Sequence, residues 1–493
     1  MDWFQRVFTV SPSREKQIEE SLVFNKEGLL EFASDDPENP KNYSFARKCY
    51  ITAVAISLVM NATFSSSAPS GSFQGVSDEL HVSAEAAGLV TTLFLLGYCA
   101  GPLFWAPLSE FYGRRLIFYI SFTLYLAFGF LCAFTPNFAG LIVGRFLAGT
   151  AASAALTNAP GILADIWGPK ERGNAMILFA TMTFVGPALG PVVSGFLQVT
   201  KNWRWTFYVL LWMAGITECL LMTLPETLPM MVLRNKARRL RKIPGNEHVY
   251  APVEASDRSL TRIFKVALTR PWRLLIDPIS FFVAIYYSIV YTMLYMLFAI
   301  YPIVFQQKRG WNAGVGELPL IGAVIGACIG GLALYIHSRL QQRKFARRKP
   351  VPEDRLEGAM AGGVMFVVTI FWFAWTAEYN SVHWAVPTVA GTFLATSILL
   401  IFVTFINYII DSYLIFAASA VAANTVLRSA TAAASPLFTQ YMFDTLGVGG
   451  AGSLIGGVGL VLMPIPFVFY KYGAAIRARS KFAPTDETGG YKV

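Results

Sequence analysis

The sequence predicts an all-α membrane protein in two apolar halves, and three observations predict it. Of 493 residues, 55% are hydrophobic and only 14% are charged, with a mean hydropathy of +0.49. Too few polar residues remain to coat a soluble globule of that size, so lipid is the solvent. The apolar residues gather in about six runs on each side of residues 226–273, each near the ~20 residues with which a helix crosses a ~30 Å hydrocarbon core. That interval is polar and carries Arg234, Lys236, Arg238, Arg239, Arg241, Lys242, Arg258, Arg262, Lys265, Arg270 and Arg273. The expected division is a tail over 1–48, a first bundle over 49–225, a basic linker over 226–273, a second bundle over 274–470 and a tail over 471–493.

In chain order, the first tail is polar and closes with Asp36-Pro-Glu-Asn-Pro-Lys-Asn-Tyr-Ser, a turn-rich stop. No apolar run precedes residue 49, so the first span, about Cys49 to Ala68, is expected to be its own insertion signal, without a cleaved leader. The sequon Asn61-Ala-Thr63 falls inside that span, out of a glycosyltransferase's reach. Further spans are expected at about Ala86–Leu108, Leu116–Phe134, Phe138–Leu163, Gly173–Val199 and Trp203–Leu224. After the linker come Leu274–Phe305, Gly314–Tyr335, Leu356–Ala377, Trp384–Ile409, Tyr413–Met442 and Ala451–Tyr470. Asp411 and Arg428 interrupt the apolar pattern between Asn407 and Phe443. With the N-terminus inside, the inner segments hold Arg114, Arg115, Lys170, Arg172, the linker, Arg339 to Arg355 and Lys471 to Lys492. The outer loops hold only Lys201, Arg204, Lys308 and Arg309, so both termini are expected in the cytosol.

The net charge of +10 sits in short clusters between apolar runs, the pattern of loops facing anionic lipid, and no nucleic-acid recognition motif accompanies it. The five cysteines, Cys49, Cys99, Cys132, Cys219 and Cys328, lack metal or paired spacing. No histidine has a ligand at helical spacing. No nucleophile, base and orienting group cluster in sequence and no phosphate-cradling loop appears, which excludes an enzyme, an ATP-driven pump and a cofactor.

Three stretches carry candidate function. Gly101-Pro-Leu-Phe-Trp-Ala-Pro-Leu-Ser-Glu-Phe-Tyr-Gly-Arg-Arg puts Glu110 a helical turn before Gly113, Arg114 and Arg115. Such a carboxylate can pair with a guanidinium and latch two helices together. Span four holds Arg145-Phe-Leu-Ala-Gly-Thr-Ala-Ala-Ser, then Asn158 and Asp165. An arginine in the apolar zone must face protein or water, so Arg145 points inward, toward a cavity or to tie helix four to backbone carbonyls. Asp165 is expected to be structural, paired with Arg172 or with the loop arginines. Span five holds Gly186-Pro-Ala-Leu-Gly190-Pro191-Val-Val-Ser-Gly195, whose prolines bend a helix and whose glycines thin one face.

The first string resembles the signature loop of the major facilitator superfamily, departing from it at Ala106, Glu110 and Phe111. The span-five string is similar to the antiporter motif of drug exporters in that superfamily. Asp36-Pro-Glu-Asn-Pro, Pro225-Glu-Thr, Pro352-Glu-Asp-Arg-Leu, Asn407-Tyr-Ile-Ile-Asp, Asn424-Thr-Val-Leu-Arg and Pro464-Ile-Pro-Phe extend the likeness to the fungal twelve-spanner drug:proton antiporters over most of residues 35–484. The resemblance implies the major facilitator fold, with 12 transmembrane helices in two six-helix bundles that rock about a site near the bilayer midplane.

Spans one, four, seven and ten line that cavity in the family. Here they would offer Asn61, Ser65 to Ser67, Arg145, Asn158, Tyr287, Tyr291, Tyr295, Thr404 and Asn407. The three tyrosines recur every fourth residue on one helix face, as an aromatic cavity wall or as a packing seam. Coupling to protons calls for a membrane carboxylate: Glu218 or Asp411, tuned by Arg145 or Arg428, with Asp277 near a span end and Ala299 where the family often has a glutamate. The function this implies is export of small amphipathic organic compounds against protons from the plasma membrane, or a vacuolar one, by a chain that suffices as a monomer. The absence of a dense acidic cluster favours neutral or weakly amphipathic cargo over a polyamine. A metabolite importer and a non-transporting receptor remain alternative uses of such a scaffold.

Overall fold

The computed structural model describes residues 23–26, 28–244, 246–255, 259–345, 351–480 and 482–483. Parts of the expected tails, Arg258 and residues 346–350 of the basic Arg339–Arg355 segment therefore lie outside the described residues. The first six long helices are α1 (Phe45–Ser67), α2 (Ala84–Tyr112), α3 (Arg114–Phe134), α4 (Phe138–Ile166), α5 (Pro169–Thr200) and α6 (Arg204–Leu221). The next six are α7 (Pro278–Tyr301), α8 (Ile321–Phe345), α9 (Glu357–Glu378), α10 (Ala385–Tyr413), α11 (Ala417–Leu462) and α12 (Pro464–Arg479).

Local chemistry sets several boundaries. Ser44, Ser83 and Asn137 cap α1, α2 and α4, each side-chain oxygen accepting from a backbone N–H of the first turn. Proline opens α5, α7 and α12, where its missing N–H costs nothing. Ten stretches of the described residues are long and apolar enough to cross a membrane, the last being Ala417–Arg479. That stretch breaks within α11 at Gly447, whose φ of 72° and ψ of 171° are not helical, so α11 holds the eleventh span before Gly447 and opens the twelfth after it, which α12 continues. Adding α6, eighteen residues interrupted by Glu218, gives twelve. The expected spans match to within a few residues except at the ends of the eighth and twelfth, where helix runs on to Phe345 and Arg479.

Helices α1–α6 pack as one bundle and the remainder as a second, joined across the middle by α2 against α11 and by α5 against α8. The largest core runs through both bundles and is rich in alanine on α4 and in aromatic side chains on α7 and α10. Small residues let helices approach where dispersion, not water exclusion, holds them together.

The linker is folded. Helices Pro229–Leu240 and Leu260–Leu275 lie along one end of the bundles, which we term the linker face. Leu30, from a two-stranded antiparallel ribbon, joins Leu233, Ala237, Leu240, Val249 and Ala251 in a small separate core. Lys236, expected among solvent-facing basic residues, is instead buried and donates to Asp36 at 2.5 Å, while Arg239 meets Glu38 at 2.5 Å. The Asp-Pro-Glu-Asn-Pro stop is therefore the tail's dock on the linker.

Candidate transport site at the bundle interface

The centre of the molecule is aromatic. Tyr287, Tyr291 and Tyr295 line one face of α7 and are 3–5% exposed. Tyr287 stacks on Phe402 of α10, with centroids 5.1 Å apart and planes at 19°, and its hydroxyl donates to the Phe402 carbonyl. Tyr291 meets Tyr295 edge to face at 5.2 Å. Arg428 of α11 inserts its guanidinium 4.6 Å from the Tyr291 centroid and 4.7 Å from that of Phe402, a double cation–π contact.

The first bundle closes over this wall. Ser66 of α1 shares a 2.8 Å hydrogen bond with the Tyr295 hydroxyl, and Phe184 of α5 meets Phe402 edge to face at 5.1 Å. Cys99 of α2 donates its thiol to the Val426 carbonyl at 3.6 Å. The tyrosines expected on a cavity wall thus lie at the interface, whereas Asn407 lies half-buried five residues beyond Phe402 on α10.

Four expected lining residues belong elsewhere. Arg145 is 1% exposed inside the first bundle: Nε donates to the Val90 carbonyl at 2.9 Å, Nη2 to the Ser65 carbonyl at 2.8 Å and Nη1 to Ser65 Oγ at 3.2 Å. Its guanidinium also lies 4.0 Å from the Phe94 centroid. It is the tie to backbone carbonyls, and Ser65 is its partner. A cavity of about 10 Å³ beside them, room for one water at most, is lined by Tyr125, Cys132 and Phe207 among others. Asn61 donates to Thr217 Oγ1 of α6 at 2.6 Å, and so joins two helices of the first bundle.

Asn158, also placed in the cavity by sequence, joins the network at Gly113. It accepts from Ser109 Oγ at 2.8 Å and from Arg114 Nη1 at 3.4 Å, and Arg114 Nε lies 3.5 Å from Asp165. The Arg114–Asp165 contact agrees with the expected pairing. Glu110 is exposed, and the carboxylate on the backbone of this turn is Glu226. It accepts from the backbone N–H of Arg114 at 3.0 Å and of Arg115 at 3.2 Å, capping the positive end of α3. Arg115 itself turns to Tyr119. Gly113, at φ 99°, makes the turn, and a Cβ there would lie 2.4 Å from Glu226 Oε2. Pro225-Glu-Thr was the available signal for Glu226, hidden because its partners are more than a hundred residues away.

On α5, Pro191 has no N–H to offer the Pro187 carbonyl one turn back, and Ser67 of α1 donates there instead at 2.7 Å. Gly186 and Gly190 face Thr63 and Ser67 of α1, while Gly195 faces the other bundle. A Cβ at Gly195 would lie 2.5 Å from the Ala313 carbonyl and 3.0 Å from Glu317 Cγ.

The two carboxylates expected to carry protons are not at the interface. Glu218 accepts from Thr123 at 2.7 Å on the partly exposed α3–α6 flank. Asp411 pairs with Arg355 at 2.9 Å, both more than a third exposed, near the linker face. Asp277 is likewise engaged, accepting from Tyr413 and Ser480 at 2.5 Å each. The buried carboxylate at the interface is Glu317, which sequence reading left at a span boundary. It is 0% exposed, Oε1 accepts from Gln306 Nε2 at 3.1 Å, and Oε2 has no partner.

Two helical bundles meeting on a polar-aromatic midplane define a membrane transporter. Residues 54–436 match the sequence profile of the Major Facilitator Superfamily. The efflux pump FUB11 of Gibberella moniliformis is 41% identical over 462 residues, covering 92% of this chain and 77% of the relative. The major facilitator superfamily multidrug transporter mdrA of Aspergillus fumigatus is 40% identical over 91% of this chain and 75% of its own length. Among solved structures, the proton:xylose symporter XylE has the same fold, with a TM-score of 0.62 at 16% identity over 87% of this chain and 96% of that one. The chain belongs to the Major Facilitator Superfamily, is similar to fungal efflux pumps and drug transporters within it, and is a multi-pass membrane transporter, not an enzyme.

Proposed function

We propose that this transporter exports small amphipathic organic compounds in exchange for protons, by alternating access about the central aromatic site. The observation that carries the reading is the Tyr287–Tyr291–Tyr295 wall with Phe402 and Arg428, covered by Ser66 and Phe184 of the opposite bundle. Rocking apart at that seam exposes flat rings, two-faced hydroxyls and one cation without disturbing either bundle's interior. The names of the relatives, efflux pump and multidrug transporter, support export over import. A positive charge at the centre speaks against a polyamine carrier.

The linker face is the cytosolic one, by the bias of Lys and Arg toward that side, and the membrane is the plasma membrane. The Gly113–Arg114–Asp165–Glu226 network is the latch that holds the first bundle's cytosolic end through the cycle. Each chain holds its own site, so a monomer suffices.

Glu317 is the proton carrier. A carboxylate buried without a cation is neutral until the seam beside Gly195 and Ala313 opens and water reaches it, which couples its proton to the bundle movement. Efflux of fluorescent amphipathic compounds from cells producing the protein, with and without a protonophore at fixed ATP, tests the function. Efflux that collapses with the gradient is expected. Glu317→Gln should abolish gradient-driven efflux while leaving substrate counterflow, whereas Glu218→Gln and Asp411→Asn should retain both. Protonophore-insensitive efflux by the wild type rules the antiport mechanism out.

A further inference from the structure

We infer that the central site is built for an organic anion: a flat aromatic carrying a carboxylate or a similar oxyanion, with Arg428 as its counter-ion. The inference rests on the transport reading above and names the class of its cargo.

The two deeply buried arginines of the spans make the argument by contrast. Arg145 has acceptors at Nε, Nη1 and Nη2, two of them backbone carbonyls, and a phenylalanine face besides. Each of its three nitrogens already has an acceptor within the first bundle. Arg428 is 9% exposed and lies against the Tyr291 and Phe402 rings, yet its guanidinium makes no hydrogen bond or ion pair to any described residue, and Nη1 is buried without an acceptor. Ring faces attract a guanidinium but leave its N–H edge unfilled. Among the described residues no carboxylate pairs with Arg428: Asp277 goes to Tyr413 and Ser480, Asp411 to Arg355, Glu353 to Arg477, Glu378 to Lys308, and Glu317 accepts from Gln306. A buried cation with a planar donor edge and no protein acceptor asks for one from outside.

The surroundings define the rest of that molecule. The Tyr291 and Phe402 rings, 6.4 Å apart centroid to centroid, both abut the guanidinium from one flank and leave its N–H edge for charge-assisted bonds to a carboxylate. The tyrosine wall beside it, with Tyr291 and Tyr295 set edge to face, offers ring surfaces on which a flat ring system can pack once the bundles part. Ser288 and Ser429, near Arg428 in sequence or on the facing turn of α7, also carry buried hydroxyls without partners. They can serve further oxygens of the cargo. Within the neutral or weakly amphipathic cargo expected from the sequence, this inference selects an amphipathic monoanion over a neutral compound.

The test uses full-length protein in nanodiscs and matched probes: 2-naphthoate and 1-pyrenebutyrate against their primary amides, with affinity read by tryptophan quenching. The wild type is expected to bind each acid at least about tenfold more tightly than its amide, the scale of one charge-assisted bidentate contact. Arg428→Gln should bring the ratio to about one, with amide affinity within about twofold of wild type. Arg428→Lys, which keeps the charge but loses the fork, should retain an intermediate ratio and covers the case in which the Gln variant fails to fold. Equal binding of acid and amide by the wild type, an unchanged ratio in Arg428→Gln, or parallel loss of both ligands in a folded variant overturns the inference. Amide binding without acid binding overturns it alone, leaving the transport reading intact. Binding of no probe, together with no efflux of any amphipathic compound, overturns both.

Discussion

Position 113 shows how much a single backbone conformation can carry. At φ 99° an L side chain is strained, and the Cβ would also run into the Glu226 carboxylate that caps α3. Gly113→Ala should lower stability by about 1–3 kcal/mol from the dihedral alone, more if Glu226 is displaced, read as a drop in the thermal midpoint of detergent-solubilised protein. Glu226 also shows where single residues stop being legible. The arginines and the glycine of that loop announce themselves, but the choice between Glu110 and Glu226 depends on a fold that brings residue 226 back to residue 114. Arg145 was legible as a buried, inward-facing cation. Whether it faced a cavity or carbonyls turned on Ser65 and Val90, which no local pattern links to it.

At the scale of helices, hydropathy placed nearly every span, because the requirement is physical and local: a helix of sufficient length with its backbone bonds internal. What hydropathy could not give was which faces touch. The three tyrosines of α7 share a face by spacing, but that face lies at the seam between bundles only because α10 and α11 supply Phe402 and Arg428 behind them. Proline and glycine on α5 were legible as a bend with a thin face; that the thin face serves two neighbours, α1 first and the other bundle last, was not. The seam itself can be tested on α2 and α11. A Cβ built at Gly88 would lie 3.3 Å from Pro436 Cβ, close to the separation a disulfide spans. In a background without the native cysteines, oxidised Gly88→Cys with Pro436→Cys should stop transport, and dithiothreitol should restore it; unimpaired flux in the cross-linked protein would show that this contact does not open.

The whole molecule has two polar girdles, one per bundle, on the linker face. In the first, Asp165, Arg114 and Glu226 join α2, α3, α4 and the linker; in the second, Asp277, Glu353 and Arg355 join α7, α10 and α12. The docked tail is a third element. Lys236 and Asp36 are 8% and 4% exposed at their side chains, so removing one partner leaves a buried charge. Lys236→Ala should therefore cost about 3–5 kcal/mol, while the paired change Asp36→Asn with Lys236→Met should cost much less, both measured by the temperature dependence of monodisperse protein. The sequence made the linker's charge plain and left its fold obscure, because a short core of Leu30, Leu233 and Val249 is assembled from segments two hundred residues apart.

That pairing has a meaning in synthesis as well as in stability. Asp36 leaves the ribosome two hundred residues before Lys236, and between them the chain must cross the bilayer an even number of times, or the two side chains finish in different compartments. A nascent chain that fails to insert α6, the short span broken by Glu218, would strand Lys236 on the wrong side with Asp36 unanswered. The dock thus works as a parity check on the first half of membrane insertion, met by six crossings and broken by the loss of any single one.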